Sequence, residues 1–382
     1  MSIGLRRGLT ILSCRLLQAV LPPSLQSWGW AVQYEAASIQ DDTKALLFTL
    51  DSLSGLLPRA IVAQLLHPFA EGSITMNLLH ATMRRPRALG VLCAIGAALL
   101  GIVYMTIAGA PLRYLGINIG ALAIGLSMLG MLGHATTADR RWADAAIVTM
   151  AGALLATALL GAKVDGAVRW VNLAGLAIQP SLILLPVLLV AFARTHSATA
   201  TTGIVIAAAA MALQPDRAMA GMLALSVAIL AATRRDRRTV IAFAAGVAGF
   251  AATLMRADTL PAVPYVDHIL YSSFDVHAGA GLAVWGGAAL MLVPGIVGFS
   301  RDPDNRMVYA AFGAAWFAAI VAAALGNYPT PVVGYGGSAI VGYVVSLVAL
   351  PKLTAVPTRI SARTQDLAER SPSDLDLFVA LA

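Results

Sequence analysis

The sequence predicts an all-α, polytopic membrane protein, and two observations carry that prediction. Hydrophobic residues make up 59% of the 382-residue chain and charged residues only 12%, with a mean hydropathy of +0.79. In soluble domains about a quarter of the residues are charged. The apolar residues also come in blocks of about 18–22, which is the length of a membrane-spanning helix. Because alternating segments of about ten residues are absent, we predict helices rather than a β-barrel.

The apolar blocks predict about ten transmembrane helices in a bundle. The predicted spans lie near 88–108, 115–133, 144–162, 177–194, 198–214, 217–233, 238–255, 272–299, 307–326 and 335–351. Arginine and lysine are concentrated in alternate loops, which the positive-inside rule assigns to the cytoplasm. We therefore predict that both termini are cytoplasmic. The net charge of +7 lies in these short loops, where it sets topology rather than forming a nucleic-acid surface.

Three regions are predicted along the chain. Residues 1–86 contain amphipathic segments whose charges would be costly at the bilayer centre, so we predict helices lying on the cytoplasmic membrane surface. A small helical cytosolic extension without chemistry is the alternative for this region. Residues 87–352 form the predicted transmembrane domain. Residues 353–382 are polar and are predicted to be a flexible cytoplasmic tail.

The predicted topology brings four polar segments to the outer face. These segments are 161–181, 214–216, 256–268 and 328–338. The first is the most distinctive, because it is a polar, Gly-punctuated loop that carries Lys163, Asp165, Arg169 and Trp170 between two apolar runs. A chain that only reverses direction needs far less polarity than this. We therefore predict that the outer face holds a binding site.

Asp267 is the strongest single candidate for chemistry. It lies where the outer loop enters the next span, in the segment 260–269. A partly desolvated carboxylate at a membrane rim has a raised pKa and can act as a general base. The alternative is a structural acid that caps the helix beginning near Ile269.

Four cations stand on the outer face against the positive-inside bias. They are Lys163, Arg169, Arg217 and Arg256. Such side chains suit a lipid head group that carries phosphate or pyrophosphate, since arginine can bind phosphate oxygens in bidentate fashion. Snorkelling to anionic lipid head groups is the alternative for each of them.

Three further motifs favour a structural role over direct chemistry. Gln179-Pro180 and Gln214-Pro215 repeat one dipeptide at outer helix ends, where proline interrupts the backbone ladder and glutamine can satisfy the freed groups. The segment Gly334–Ser338 permits a tight turn and a close approach of helices. Direct contact of these residues with a substrate is the alternative.

The sequence contains no clear metal or cofactor motif. His268 and His277, with Asp275, match no ligand spacing, so we predict a packed or solvated pair rather than a metal site. Cys14 and Cys93 lie in different contexts and predict neither a disulfide nor a metal site. A P-loop and a dinucleotide fingerprint are absent. These motifs require no cofactor, and a divalent cation stays open as an alternative.

Taken in order, the outer-face motifs resemble the SEDS family, the cell-wall polymerases of the FtsW, RodA and SpoVE type. The similarity covers about residues 88–352. In that family a Gly-x-x-x-x-Gly-x-x-Arg-Trp loop precedes a Gln-Pro-Ser-Glu helix, and Gln-Pro-Asp, Leu-Pro…Asp and Tyr-Gly-Gly-Ser motifs follow. The matching residues are Gly161, Gly166, Arg169 and Trp170; Gln179, Pro180 and Ser181; Gln214, Pro215, Asp216 and Ala220; Leu260, Pro261 and Asp267; and Pro331, Tyr335, Gly336, Gly337 and Ser338.

Two departures from the family pattern are visible. Leu182 stands where the family has the final Glu of Gln-Pro-Ser-Glu, and only a short turn separates Met255 from Asp267, where the family has a large outer loop. The short loop favours a protein without catalysis, whereas the retained Asp267 and Arg169 favour an enzyme. Both readings stay open.

The resemblance implies a divergent peptidoglycan glycosyltransferase that polymerises lipid II at the outer face of the bacterial inner membrane. Asp267 would be the general base for the 4-hydroxyl of the acceptor sugar, and Arg169 would offset charge on the departing undecaprenyl pyrophosphate. The implied substrate-binding residues are Arg169, Trp170, Lys163, Gln179, Gln214, Asp216, Arg256, Tyr335 and Ser338.

The implied partners are a lipid-linked sugar, membrane lipids and a penicillin-binding transpeptidase. Two alternatives stay open. The first is a non-catalytic SEDS-like protein that binds, transports or scaffolds lipid-linked cell-wall precursors in cell division or cell-shape control. The second is a related polymerase or ligase that acts on another polyprenyl-linked glycan.

Overall fold

The structure is a computed structural model of the 382-residue chain. The described residues are 85–352, apart from 136–139, Asp165, Ala174, His196 and 257–259, together with parts of 7–52. The predicted cytoplasmic tail and much of the predicted interfacial region therefore lie outside the described residues. The chain divides into two compact units, Met1–Ala81 and Thr82–Ala382.

The N-terminal unit contains helix α1, Gln26–Ser38. Its buried residues are Gly29, Val32 and Ala36, whose spacing of three and four places them on one face of the helix. Three aromatic side chains of this helix are exposed, namely Trp28, Trp30 and Tyr34. Aromatic residues of this kind are enriched at membrane interfaces. The interfacial location of this unit stays a prediction.

The second unit is built from α-helices with one small sheet. Its helices are α2 (Pro86–Ile107), α3 (Leu112–Ala135), α4 (Arg140–Leu160), α5 (Pro180–Thr195), α6 (Ala198–Leu213), α7 (Arg217–Arg234), α8 (Arg237–Leu254), α9 (Ile269–Val276), α10 (Ala278–Arg301), α11 (Arg306–Leu325) and α12 (Gly337–Ser346). Short 3-10 turns follow α10 and α12, at Pro303–Asn305 and Leu347–Ala349.

The predicted fold class, a polytopic helical membrane protein, is confirmed. Within the described residues, seven helices are long and apolar enough to cross a membrane, judged by length and composition. Three further apolar helices are shorter: Pro180–Thr195, Ala198–Leu213 and Gly337–Ala349. Nine of the ten predicted spans each coincide with one of these helices, and the remaining span, 272–299, covers Ala278–Arg301 and part of a short helix before it. The length and hydropathy of the apolar blocks were therefore sufficient to locate the helices.

One predicted span, 272–299, is divided in the structure. His277 separates α9 from α10, with an extended backbone at φ −169° and ψ 142°. Its Nδ1 atom accepts a hydrogen bond of 3.0 Å from the Gly279 N–H, which caps the start of α10. A new helix begins here because His277 satisfies a free N–H of its first turn.

The segment after α4, which is predicted to lie on the outer face, forms a sheet rather than the predicted loop. The strands β1 (Ala162–Val164), β2 (Ala167–Leu173) and β3 (Leu176–Ile178) are antiparallel and lie in the order β1-β2-β3. Gly166 and Gly175 lie in the two connections, with φ of +84° and +81°. Because glycine adopts such angles without steric cost, these two residues allow the tight reversals between strands.

Close helix packing fixes the relative positions of α5 and α12. A Cβ atom at Gly342 would overlap the Leu182 carbonyl oxygen, so the two backbones approach more closely than a side chain would permit. The Leu182 side chain is itself buried. Where the SEDS motif has a glutamate, this chain therefore has an apolar residue packed in the helix interface.

At the end of the bundle opposite the sheet, two arginines donate hydrogen bonds to backbone carbonyl groups after α12. Arg87 donates hydrogen bonds of 2.8 Å and 2.6 Å to the carbonyl oxygens of Leu350 and Val348. Arg194 donates one of 3.0 Å to the Ala349 carbonyl oxygen. These cations satisfy carbonyl groups that the last helical turn leaves without intrahelical partners.

Candidate functional site

The four segments predicted on the outer face meet at one end of the bundle. Arg169 of β2 donates a hydrogen bond to the Pro215 carbonyl oxygen. The Gln179 N–H donates to Ser338 Oγ at 3.0 Å. The Tyr335 N–H donates to the Tyr265 carbonyl oxygen at 2.7 Å. We refer to this end, where the sheet lies, as the sheet end.

A polar network joins two helix starts, those of α5 and α7, at the sheet end. We call Gln179, Ser181 and Asp216 the motif network. Asp216 Oδ2 accepts hydrogen bonds from Gln179 Nε2 at 2.9 Å and from Ser181 Oγ at 3.2 Å. Asp216 Oδ1 accepts from the Met219 N–H at 3.2 Å and so caps helix α7. Both carboxylate oxygens of Asp216 are therefore engaged within the protein, and Asp216 is fully buried.

Gln214 lies at a different helix end and has different hydrogen-bond partners. It is the C-cap of α6, and its Nε2 donates a hydrogen bond of 2.8 Å to the Leu154 carbonyl oxygen of α4. Its Oε1 is buried without a hydrogen-bond partner in the described part of the chain. The predicted repetition of Gln-Pro at outer helix ends is present. The two glutamines, however, bind different partners.

Arg169 links the sheet to two loops. Its side chain is only 4% exposed. Its guanidinium group donates to the Pro215 carbonyl oxygen and its Cζ lies 5.8 Å from the centroid of the Tyr328 ring. Both contacts are of kinds that stabilise a desolvated guanidinium. Its neighbour Trp170 is half-buried and pairs with Ala162 across β1 and β2.

The other three outer cations are less enclosed. Lys163 and Arg256 are exposed. Arg217 donates to the Thr253 carbonyl oxygen at 3.2 Å and to the Arg256 carbonyl oxygen, so it closes the C-terminal end of α8. Of the four predicted phosphate-binding cations, Arg169 is the one with a buried side chain.

Asp267 does not cap the following helix. His268 occupies the N-cap position of α9, and no side chain makes a capping hydrogen bond there. Asp267 Oδ2 instead accepts a hydrogen bond of 2.8 Å from the Val263 N–H, four residues earlier. Asp267 Oδ1 is buried without a hydrogen-bond partner among the described residues, and the residue is only 8% exposed.

Burial raises the pKa of the Asp267 carboxyl group above its ordinary value, since desolvation disfavours the charged form. The hydrogen bond from the Val263 N–H and the electrostatic interaction with the neighbouring His268 lower the pKa of Asp267 and are weaker than the effect of burial. The net effect is a carboxyl group that holds its proton more tightly than an exposed aspartate does. A raised pKa brings a carboxylate closer to what general-base catalysis near neutral pH needs.

The backbone around Asp267 adopts unfavourable conformations. Tyr265, His268 and Val332 have φ of +63°, +59° and +66°, in the left-handed region that non-glycine residues rarely adopt. The Thr330 N–H donates to the Val266 carbonyl oxygen at 2.9 Å, which joins the Asp267 segment to the loop before α12. Strained residues of this kind cluster at functional sites, where the surrounding structure holds them.

A group of tyrosines lies beside the Asp267 segment. Tyr335 stacks on Tyr114 of α3, with ring centroids 3.9 Å apart and planes inclined by 11°. Tyr265 meets Tyr114 edge to face at 6.1 Å. Ser338 Oγ accepts a hydrogen bond from the Gln179 N–H. Of the two predicted residues in this turn, Tyr335 thus lies near Asp267 and Ser338 lies near the motif network.

Sequence reasoning missed Asn118, which is buried inside the apolar helix α3. Its side-chain amide binds the Gly334 and Gly336 backbone groups. The available signal was a lone amide in an apolar run, which is costly in a membrane unless it is paired. His268 and His277 have separate hydrogen-bond partners. His268 Nε2 lies 2.6 Å from Asn327 Oδ1, and His277 caps α10.

Within the described residues, no group of three or more His, Cys, Asp or Glu side chains is placed to hold a metal ion. The open alternative of a divalent cation therefore stays a prediction. Together, the helices and the site define a multi-pass helical membrane protein with a polar, partly strained site at one end.

The crystal structures that resemble this chain include two of the Rod shape determining protein RodA from Thermus thermophilus. RodA itself has 20% sequence identity, and the match covers 68% of this chain and 93% of RodA, with a TM-score of 0.48. A point mutant of RodA has 18% identity, with coverage of 68% and 94% and a TM-score of 0.48. No family model and no curated protein matches the chain.

Proposed function

We propose that this protein is a divergent SEDS-type glycosyltransferase that polymerises a lipid-linked disaccharide at the outer face of the membrane. The substrate would be lipid II, in which the disaccharide is carried on undecaprenyl pyrophosphate. The order of the sequence motifs supports this proposal. So does the meeting of all four motifs at the sheet end.

The observation that carries the proposal is the state of the Asp267 carboxyl group. One oxygen is fixed by the Val263 N–H, and the other is buried without a partner among the described residues. A purely structural carboxylate normally satisfies both oxygens, since an unsatisfied buried polar atom costs about 1–3 kcal/mol. The spare oxygen of Asp267 is therefore available to accept a proton from a substrate hydroxyl group.

In the proposed step, Asp267 removes the proton from the 4-hydroxyl group of the acceptor sugar. The oxygen then attacks C1 of the donor sugar, the bond between C1 and the pyrophosphate oxygen breaks, and undecaprenyl pyrophosphate leaves with the electron pair. Arg169 would offset the charge on this leaving group. Lys163 and Arg256 are exposed and could contact the same phosphates from the rim.

A second candidate function is a non-catalytic protein that binds or scaffolds lipid-linked precursors. The motif network supports this alternative, because the side chains of Gln179 and Asp216 are hydrogen-bonded to each other and Asp216 also caps α7. Leu182 supports it too, since an apolar residue packs where the family has a glutamate. In either case a penicillin-binding transpeptidase and membrane lipids are the partners that the resemblance implies.

The decisive experiment supplies labelled lipid II to the full-length protein in liposomes and measures glycan polymer and lipid binding on the same samples. Asp267→Asn keeps the size of the side chain and removes its basicity, so the rate should fall about 10²–10⁴-fold. The matched control is Asp275→Asn, because Asp275 is an exposed acid nearby on α9. This control should retain the wild-type rate.

The alternative outcome is equally specific. If wild-type protein binds lipid II saturably but forms no polymer under any condition, the enzyme proposal is wrong and the binding protein is favoured. Polymer formed at equal rates by wild-type and Asp267→Asn protein would show that another residue is the base.

A further inference from the structure

Asn118 is a buried amide near the start of an apolar helix, about two turns in from the sheet end. Only 1% of the residue is exposed, and it lies in α3, one of the helices long and apolar enough to cross a membrane. Burying an amide in such an environment is unfavourable unless its groups are hydrogen-bonded. Asn118 meets that condition at both ends of its amide group. Nδ2 donates to the Gly334 carbonyl oxygen at 2.9 Å, and Oδ1 accepts from the Gly336 N–H at 3.2 Å.

The two bonds of Asn118 hold the turn that carries Tyr335. This residue lies between the two bonded glycines, and its ring stacks on Tyr114, which is on the same helix as Asn118. The turn is also packed tightly, since a Cβ atom at Gly334 would lie 3.1 Å from the Tyr265 carbonyl oxygen. Asn118 and Tyr114 together therefore fix the position of this turn relative to α3.

The turn is connected to Asp267 through Tyr265. The Tyr335 N–H donates to the Tyr265 carbonyl oxygen at 2.7 Å. Tyr265 has a left-handed backbone, which persists only where neighbouring contacts hold it. Tyr265 lies inside the Val263–Asp267 turn, in which the Asp267 N–H donates to the Val263 carbonyl oxygen at 3.0 Å and Asp267 Oδ2 accepts from the Val263 N–H.

We propose that Asn118 is a positioning residue for Asp267, acting through the Gly334–Gly336 turn and Tyr265. The role of Asp267 as the base rests on the proposed function, whereas the mechanical connection to Asn118 does not. Without the amide bonds, the turn would no longer hold Tyr265 in its left-handed conformation. The Asp267 carboxyl group would then become more accessible to water.

Substituting Asn118 with a neutral residue leaves every nearby charge unchanged. Among the described residues, the titratable or charged side chains around Asp267 include His268 and Tyr265 on its own segment, Tyr104 on α2, Tyr328 and Tyr335 on the loop before α12, Tyr114 on α3, and Arg169 above the Tyr328 ring. A change in the protonation of Asp267 would therefore report a change in its position or burial.

The test measures protonation of Asp267 in the full-length protein in liposomes. A hydrophobic carbodiimide reacts with protonated carboxyl groups, and mass spectrometry of the Asp267 peptide gives the extent of labelling at each pH. In Asn118→Leu the pH midpoint of labelling should move to lower pH, because hydration favours the charged carboxylate. Asn118→Ser is a milder variant that should move the midpoint in the same direction.

The matched control is Ser127→Ala, on the same helix. Ser127 is exposed and binds only its own helix, with Oγ donating to the Ala123 carbonyl oxygen at 2.9 Å. This substitution should leave the midpoint unchanged. If Asn118→Leu or Asn118→Ser lowers the unfolding temperature but leaves the Asp267 midpoint at the wild-type pH, Asn118 is merely structural and the proposal is overturned.

The two proposals fail in distinguishable ways. If wild-type protein does not polymerise lipid II, a shifted labelling midpoint still supports the positioning role. If polymerisation depends on Asp267 but the midpoint is unchanged in both Asn118 variants, the positioning role is wrong and the proposed function stands. If polymerisation depends on Asp267 and the labelling midpoint also shifts, Asn118→Leu should lower kcat by up to about 100-fold. It should change KM far less, because the base is displaced.

Discussion

The motif network and the Asp267 segment lie at the same end of the bundle, yet they use their polar groups in opposite ways. In the motif network, each Asp216 carboxylate oxygen accepts at least one hydrogen bond, and α7 begins with a side-chain cap. In the Asp267 segment, one carboxylate oxygen has no partner among the described residues, and the backbone on both sides is left-handed.

We propose that this difference separates residues that build the site from the residue that reacts within it. A satisfied network stabilises the fold and has little capacity left for a ligand. An incompletely satisfied, desolvated carboxyl group costs stability, and carboxyl groups with a perturbed pKa cluster at functional sites. Resemblance to a family motif does not make this distinction, because Asp216 and Asp267 both match the SEDS pattern.

The largest expected effect on stability is the loss of the motif network. Asp216→Ala removes the cap of α7 and leaves Gln179 and Ser181 without their shared acceptor, so the free energy of unfolding should fall by about 2–4 kcal/mol. Thermal unfolding in detergent measures this change. Asp304→Ala, at an exposed acid near the other end of the bundle, is the control and should change the value by less than about 0.5 kcal/mol. Equal effects of the two substitutions would contradict a stabilising network.

A smaller effect on the free energy of unfolding, and one of opposite sign, is expected when Asp267 is replaced by asparagine. Because burial raises its pKa in the folded protein, the folded state holds this proton to a higher pH than the unfolded chain. The stability that this group contributes is complete below the unfolded pKa and is lost as the pH rises through the folded pKa. Asp267→Asn should therefore have a higher unfolding temperature than wild type at neutral pH.

The same reasoning predicts how that difference depends on pH. It should disappear below a pH of about 4, where the aspartate is protonated in both states. Unfolding scans of wild type and Asp267→Asn across this range measure it. A lower unfolding temperature of Asp267→Asn at neutral pH would mean that Asp267 stabilises the fold as Asp216 does.

The smallest effects on the free energy of unfolding and on polymerisation are expected when Lys163 is replaced. Its side chain is exposed, so Lys163→Ala should change the free energy of unfolding by less than about 0.5 kcal/mol and polymerisation by less than about twofold. Arg169→Lys keeps its charge but loses the planar group that reaches Pro215 and Tyr328, and should reduce polymerisation more. A stronger effect at Lys163 than at Arg169 would place the phosphate contact at the rim.

Much of the fold could be predicted from the sequence, because apolar run length alone locates membrane helices. The division at His277 could not, since it depends on one side chain that caps a helix within an apolar window. The sheet at 162–178 was missed because its strands have three, seven and three residues. Segments so short carry little periodicity, and their pairing depends on the turns at Gly166 and Gly175.

For the site, topology and motif order predicted which segments would meet but not which atoms would bind. The bond between Gln179 and Asp216 joins residues 37 positions apart, and no local pattern distinguishes this internal pair from a pair facing a substrate. Asn118 was missed because hydropathy averages hide a single amide in an apolar run. The capping alternative for Asp267 could be decided only by the structure, in which the carboxylate binds Val263 instead.

The most direct test compares Asp267→Asn with Asp216→Ala for polymerisation per folded molecule and for unfolding temperature, in the same liposome preparation at neutral pH. We predict that Asp267→Asn loses about 10²–10⁴-fold in rate and keeps or raises its unfolding temperature. Asp216→Ala should lose stability and keep most of its rate per folded molecule. The opposite pattern, with a nearly normal rate in Asp267→Asn and none in folded Asp216→Ala, would contradict the assignment of Asp267 as the reactive residue.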